Sequence, residues 1–301
     1  MESHVSSTQE VSLEDHFPIR TLSLETGVNT VTLRAWERRY GLLKPVRTPK
    51  GHRLYNQKDV ETVHNILHWI QKGVPVGKVK ALLSNNKNAE ELDGSNELSD
   101  DDVWSALRNQ FIESSTNYQE SKLLSDYQAL SSQYPVDIII TQLIEPVVTS
   151  LFHLGDNGTA FRFFTSCLTK QITVHLNSYK HQGKKRPSVL VVNAASGSVF
   201  WSGLMALLLQ ARGYDPIWLS DVHNPNQWMP LLSGLNPSQC LCVCESVLPD
   251  GMETFMTELA KYEGSVVITG SEVWFKFRHL SDEVSNVSIY SSAMEGVMSI
   301  G

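Results

Sequence analysis

Apolar residues recur along the chain at several different spacings, and each spacing predicts its own kind of element. Residues 1–16 show no period and read as a polar tail. From Phe17 a compact pattern begins. Ile19, Leu22 and Leu24 read as a short helix that stops at Gly27, and Asn29 is placed to cap a second helix from Thr30 to Tyr40, closed by Gly41. In that helix Leu33, Trp36 and Tyr40 fall at i, i+3 and i+7 and make an inward face. Arg34 and Arg38, at i and i+4, share another. Pro45, Pro49 and Gly51 exclude a helix over 43–55, where alternating apolar positions flank a Pro/Gly tip. That pattern predicts a small hairpin, or wing, with cations at its end. Helical spacing returns through Val60, Val63, Leu67 and Ile70, breaks at Gly73, and resumes from Val76 to Leu83.

Residues 84–100 are polar and turn-rich, and a linker is placed at 87–100. Residues 101–186 then read as all-helical, with Trp104, Leu107, Phe111 and later Leu143, Val147, Leu151 at helical spacing. After Pro187 the chain alternates. Strands are predicted at Val189–Asn193, Ile217–Ser220, Gln239–Cys244, Ser265–Thr269 and Val287–Tyr290, with helices at Phe200–Arg212 and about Asp250–Tyr262. Alternation of this kind implies parallel pairing through right-handed crossovers, hence a doubly wound sheet. The fold class is therefore multidomain, α and α/β. A winged helix-turn-helix occupies 17–86, a helical bundle 101–186 and an α/β domain 187–301.

Charge changes the picture more than composition does. Hydrophobic residues make up 41% and charged residues 19%, an ordinary globular balance, while the net charge is −7. That net value conceals a division. Residues 17–85 carry 12 Lys/Arg against 4 Asp/Glu, a local +8, whereas residues 86–301 carry 13 against 24, a local −11. A basic segment joined to an acidic body reads as a nucleic-acid contact module on a body that stays off DNA. Four cysteines make no disulfide framework, which places the chain in a reducing cytoplasm. The apolar run Leu204–Leu209 is too short to cross a bilayer, and the N-terminus has the form of no secretory signal, so no membrane partner is expected.

The candidate DNA contacts follow. Arg34 and Arg38, with Thr32 and Arg39 on the same helix, should face bases or phosphates in the major groove. Arg47, Lys50, His52 and Arg53 on the wing can reach phosphates or the minor groove, and Tyr40 and Tyr55 can donate to phosphate. Trp36 lies on the apolar face and reads as core. His64 and His68 stand one turn apart without a third ligand nearby, so they read as a surface pair and no metal is expected. Cys240, Cys242 and Cys244 share one face of a strand and read as small core residues. Phe161, Phe163, Phe164, Phe200 and Trp201 either line a pocket or fill space. Lys184-Lys185-Arg186 reads as solvated linker. No Ser/His/Asp set, paired acids or metal cluster in a motif context supports catalysis.

The run Thr32-Leu33-Arg34-Ala35-Trp36-Glu37-Arg38-Arg39-Tyr40-Gly41-Leu42-Leu43-Lys44-Pro45, then Arg47, then Gly51-His52-Arg53-Leu54-Tyr55, resembles the MerR family of winged helix-turn-helix regulators. The wording around Trp36 and the later Val76-Gly77-Lys78-Val79-Lys80-Ala81-Leu82-Leu83 are similar to the branch of CarA/CarH/LitR light-sensing repressors and MlrA-type activators of curli and biofilm genes. The resemblance implies a flavodoxin-like cobalamin-binding region after a helical bundle. It also implies double-stranded DNA as the partner, two-fold dimerisation, and RNA polymerase or another regulatory protein as a further contact.

The departures from that branch matter as much. Its Asp/Glu-x-His-x-x-Gly register, whose His ligates cobalt, here reads Ser198-Val199-Phe200-Trp201-Ser202-Gly203. The bundle's Trp-x-x-Gly followed by Glu-His reads Phe152-His153-Leu154-Gly155 and then Arg162-Phe163. Ser246-Val247-Leu248 and Gly270 survive from the nucleotide-tail pocket. A vestigial pocket at Ser198, Phe200, Gly203, Ser246 and Gly270, with no cofactor, is therefore expected. A cobalamin-dependent, light-responsive repressor is the alternative.

Overall fold

A computed structural model of the 301-residue chain describes residues 16–84, 100–156, 158–178, 186–194, 197, 199–220, 222, 227–245, 251–259 and 262–301. The predicted linker falls outside these residues except for Asp100, and the tail except for His16. Lys184, Lys185, Ser198 and Ser246 also lie outside them. The chain divides into two compact units, one within residues 1–100 and the other within 101–301.

The first unit opens with a two-residue strand, β1 (Phe17–Pro18), that the sequence pattern does not reveal. Helix α1 (Ile19–Thr26) follows and ends at Gly27, φ 71°. Leu22 and Thr26, one turn apart, are its buried positions, whereas Leu24 is 62% exposed. Asn29 caps α2 (Thr30–Ala35), its side-chain oxygen accepting from the Val31 and Thr32 amides at 2.9 Å each. The helix continues without interruption into a π-turn, Trp36–Tyr40, that ends at Gly41, φ 59°.

The wing is β2 (Val46–Arg47) paired antiparallel with β3 (Arg53–Tyr55), and β1 adds on the far side of β3. Its tip turns where the Gly51 amide donates to the Thr48 carbonyl at 2.8 Å. Helix α3 (Gln57–Gln71) begins with a reciprocal cap between Asn56 and Asp59, and α4 (Val76–Ser84) completes the unit. Leu22, Val28, Leu33, Trp36, Tyr55, Val63, Ile66 and Ile70 form its buried core. Ile66 and Trp69 take core positions in α3, while Leu67 stays half-buried.

The second unit begins with helices α5 (Asp100–Thr116), α6 (Glu120–Ser131) and α7 (Val136–Ile139). A π-turn (Ile140–Ile144), α8 (Glu145–Phe152) and α9 (Thr159–Ser178) complete the helical layer. The rest alternates: β4 (Ser188–Asn193), α10 (Val199–Ala211), β5 (Asp215–Leu219), α11 (Trp228–Leu235), β6 (Gln239–Val243), α12 (Met252–Leu259), β7 (Ser265–Thr269), α13 (Ser271–Phe277), α14 (Leu280–Glu283), β8 (Val287–Tyr290) and α15 (Ala293–Ser299). All strand pairs are parallel, in the order β5-β4-β6-β7-β8. Counted within the sheet that order is 2-1-3-4-5, the flavodoxin-like winding.

The apolar run 204–209 now has its reason. Helix α10 is buried from Ser202 through Leu209 because α9 and α15 pack on it as well as the sheet. A helix covered on every side is apolar all round.

Candidate nucleic-acid interface

The surface of the first unit is built outward from Trp36. Trp36 and Leu33 are fully buried, which turns the opposite side of α2 to solvent. That side carries Arg34, Arg38 and Arg39, all exposed. Arg34 and Arg38 meet there: the Arg38 Nε donates to the Arg34 carbonyl at 3.4 Å. Val31, three residues before Arg34, is 58% exposed on the same stripe. An exposed methyl-bearing residue in the first turn suits a thymine methyl in the major groove. The sequence reading passed over Val31 because an apolar residue near a helix start looks like core.

The wing adds a second cationic surface. Lys50 and His52 at its tip are exposed. Arg47 and Arg53 behave differently, because both converge on Glu37. Arg47 Nη2 lies 3.1 Å from Glu37 Oε1 and Arg53 Nε 2.5 Å from Glu37 Oε2. The Glu37 side chain is only 12% exposed. The hydrogen bond to Glu37 is the main reason the Arg53 pKa is raised above its ordinary value.

Two expected contacts sit elsewhere. Thr32 is fully buried with its hydroxyl inside the unit, and Tyr55 is fully buried in the core. Burial, with Glu37 adding to it, pushes the Tyr55 phenol up to about 12. Neither side chain is presented to a phosphate. Helix phase decides the place of Thr32, and strand alternation that of Tyr55. Tyr40 is half-buried, its ring lying beside Gly77 of α4. Burial raises its pKa.

In the second unit the vestigial pocket can be tested against a corrinoid. Phe200 is 5% exposed and packs edge-on against Phe164 at 6.2 Å and Trp201 at 5.5 Å between ring centroids. A hydrocarbon ring therefore fills the register where an imidazole would ligate cobalt. Beside it the Trp218 indole donates to Ser202 Oγ at 3.0 Å, and a Cβ at Gly203 would lie 2.9 Å from the Trp218 ring. Gly270, φ 137°, lies so close to β6 that a Cβ would sit 2.0 Å from the Cys244 carbonyl oxygen.

At the bundle register Phe152 is 69% exposed, Arg162 is exposed, and Phe163 packs on Tyr118 at 5.4 Å. The His153 Nδ1 stands 2.7 Å from the Thr149 carbonyl. These residues do not fit a cobalt-ligating site. Cys240, Cys242 and Cys244 lie in the sheet core, with Sγ atoms of the first two 3.8 Å apart, and burial drives the Cys242 thiol pKa well up. Among the described residues no group of three His, Cys, Asp or Glu could hold a metal ion, and no helix is long and apolar enough to cross a membrane.

The first unit is similar in sequence to known proteins. The family described as MerR HTH family regulatory protein matches residues 17–86. The HTH-type transcriptional regulator MlrA of Escherichia coli K12 is 55% identical over 69 residues, 23% of this chain and 28% of that protein. The HTH-type transcriptional repressor CarH of Myxococcus xanthus is 42% identical over 57 residues, 19% of each chain. The matched stretch thus spans under a third of either relative. A solved methanol:cobalamin methyltransferase complex, MtaBC from Methanosarcina barkeri, aligns over 73% of this chain and 90% of its own at 12% identity and a TM-score of 0.33. Buried scaffold, exposed arginine stripe and cationic wing all fall inside the matched residues, and residues 17–86 are a MerR helix-turn-helix domain of the MlrA and CarA/CarH branch.

Proposed function

We propose that the chain is a sequence-specific, double-stranded-DNA-binding transcriptional regulator. It acts as a cytoplasmic homodimer, has no catalytic activity, and its C-terminal unit serves dimerisation, partner docking or effector sensing without cobalamin. One observation carries the reading. The Val31–Arg34–Arg38 stripe is solvent-facing on a helix whose other side is locked by Leu33 and Trp36, with the Lys50–His52 wing tip exposed in the same unit. A helix of this kind enters the major groove by its first turns while the wing meets the backbone. The DNA-contact set in this reading is Arg34, Arg38, Arg39, Lys50 and His52, with Arg47, Arg53 and Tyr40 beside them.

One helix and one wing make a small interface, and a two-fold pair doubles it. RNA polymerase or another regulator is the protein contact of such a complex. The stronger match to MlrA than to CarH supports activation of biofilm or matrix genes over light-responsive repression. Phe200 points the same way, because the repressor reading needs a cobalt ligand at that position.

The full chain, mixed with a random-sequence duplex library at low salt, is expected to enrich a two-fold symmetric site. Its affinity should then fall steeply as salt is raised, since each Lys/Arg–phosphate contact releases counterions. Recovery of no duplex above background would overturn the reading. A preparation from cobalamin-fed cells that carries corrinoid absorbance would overturn the cobalamin-free part alone.

A further inference from the structure

The geometry points to Glu37 as a specificity-setting residue of the DNA-binding surface, a carboxylate clamp that holds Arg47 and Arg53 in register with the reading helix and keeps the unit from gripping DNA of the wrong sequence. This inference rests on the DNA-binding reading above.

Glu37 is the only acid between Glu25 and Asp59, a stretch that carries eight Lys/Arg. A lone negative charge there opposes non-specific attraction to phosphate, the chief purpose the surrounding charges would serve. It stands three residues after Arg34 and one before Arg38, close to the stripe that would face the groove. Its carboxylate is nonetheless nearly covered, and what covers it is informative. Its two oxygens each take one wing guanidinium, Arg47 from β2 and Arg53 from β3. One side chain on the helix therefore spans to both strands of the wing.

The named contacts use the Arg47 Nη2 and the Arg53 Nε. A guanidinium carries five N–H donors, so donors remain on each for phosphate. The clamp thus orients these groups. It also offsets part of their charge. Where helix and groove fit, wing and helix engage together. Where they do not, the carboxylate remains near the backbone and weakens the contact.

The contrasting account is a purely structural staple, which would stabilise the fold and leave selectivity alone. The two accounts separate on the ratio of two affinities. The full parent chain selects a duplex from a random library, and that duplex and a scrambled duplex of equal length are then titrated against the parent and Glu37→Gln at several salt concentrations. Removing the charge is expected to strengthen scrambled-duplex binding several-fold and to steepen its salt slope by about 1–2. The ratio of selected to scrambled affinity should fall by about tenfold, the size of one lost readout contact.

An unchanged ratio and slope in a folded Glu37→Gln chain would overturn the clamp. So would an equal loss on both duplexes. If a melting curve shows that Glu37→Gln does not fold, Arg47→Gln opens the clamp from its more exposed end, where Arg47 is 54% exposed. Its ratio should fall by about threefold, the share of one arm, and an unchanged ratio there overturns the inference too. Failure of the parent chain to bind any duplex is a different result, and it removes the DNA-binding reading itself.

Discussion

The two units place their charges in opposite ways. In the first, cations stand outside on a helix face and a wing, and the acid among them is taken up by two of those cations. In the second, several carboxyls among the described residues are half-buried. Burial raises the pKa of Asp137, Glu145 and Glu245, and Glu245 sits just past the end of β6, where the Ala293 amide lowers its pKa in part. An exterior laid out by charge is suited to meeting a charged partner, whereas half-buried acids, of which Asp59 is one in the first unit, are suited to holding neighbouring elements in place. Surface charges at helical spacing stand out in a sequence, whereas Phe200 and Phe163, at the registers where the resemblance expects cobalt ligands, leave only the strand–helix winding legible.

Breaking each scaffold gives the largest effects. Trp36→Ala empties a fully buried site under the arginine stripe and should cost about 3–5 kcal/mol, with loss of duplex binding because the stripe loses its support. Gly270→Ala attacks the second unit. It forces a Cβ to 2.0 Å from a backbone oxygen at a φ of +137°, and backbone strain and overpacking together should cost about 3–5 kcal/mol. Chemical denaturation followed by circular dichroism measures both. If Gly270→Ala left stability unchanged, the close contact of α13's start with β6 would not exist as described.

How far the fold was legible follows from the same distinction. Strand–helix alternation after Pro187 announced a parallel sheet, because strands buried on both faces read as unbroken apolar runs such as Val189–Val192. The wing was legible from Pro45, Pro49 and Gly51. Strand β1 was not, since two residues carry no period and its pairing of Phe17 with Tyr55 joins distant positions of the module. Helices α13 and α15 also went unread: each is seven residues long, too short for a periodic signal. At the candidate interface i, i+4 spacing was enough to set Arg34 and Arg38 on one exposed face. Thr32 and Tyr55 were misplaced by helix phase and strand alternation. Glu37 was missed because an acid among cations reads as a solvated residue until its partners are seen.

A smaller change sharpens the comparison without touching either core. Arg34→Ala and Arg38→Ala remove exposed side chains, so melting should be unaffected within about 0.5 kcal/mol. Each should cost about 1–3 kcal/mol of duplex affinity, roughly a 10- to 100-fold loss. Lys170→Ala, an exposed cation of the second unit paired with Glu120 at 3.0 Å, should leave duplex affinity unchanged. Anisotropy titration on one duplex ranks all three. Equal losses from the Arg34 and Lys170 changes would mean that the acidic unit also meets DNA, and the division of labour drawn from charge would fail.

The smallest effect concerns the inward acids. Glu245 has its pKa raised first by burial and further by Glu145, while the Ala293 amide lowers it in part. A carboxyl whose folded pKa lies above its unfolded one binds more protons when folded. Stability from this group is therefore complete below the unfolded value, about 4.3, and is lost as pH rises through the folded value. Glu245→Gln keeps an acceptor for the Ala293 amide and never ionises. It should be more stable than the parent at neutral pH, with the difference closing as pH falls through the carboxylate range. His175, whose pKa burial lowers, and Asp156, whose pKa is lowered chiefly by the Ala160 amide, act in the opposite sense as pH falls. They are common to both chains and cancel in the difference. Urea midpoints for the pair, measured from neutral to mildly acidic pH, check the sign. A Gln variant weaker than the parent at neutral pH would show that the Glu245 charge supports the seam around Ala293 and Thr269, and the contrast between an exterior and an interior use of charge would have to be redrawn.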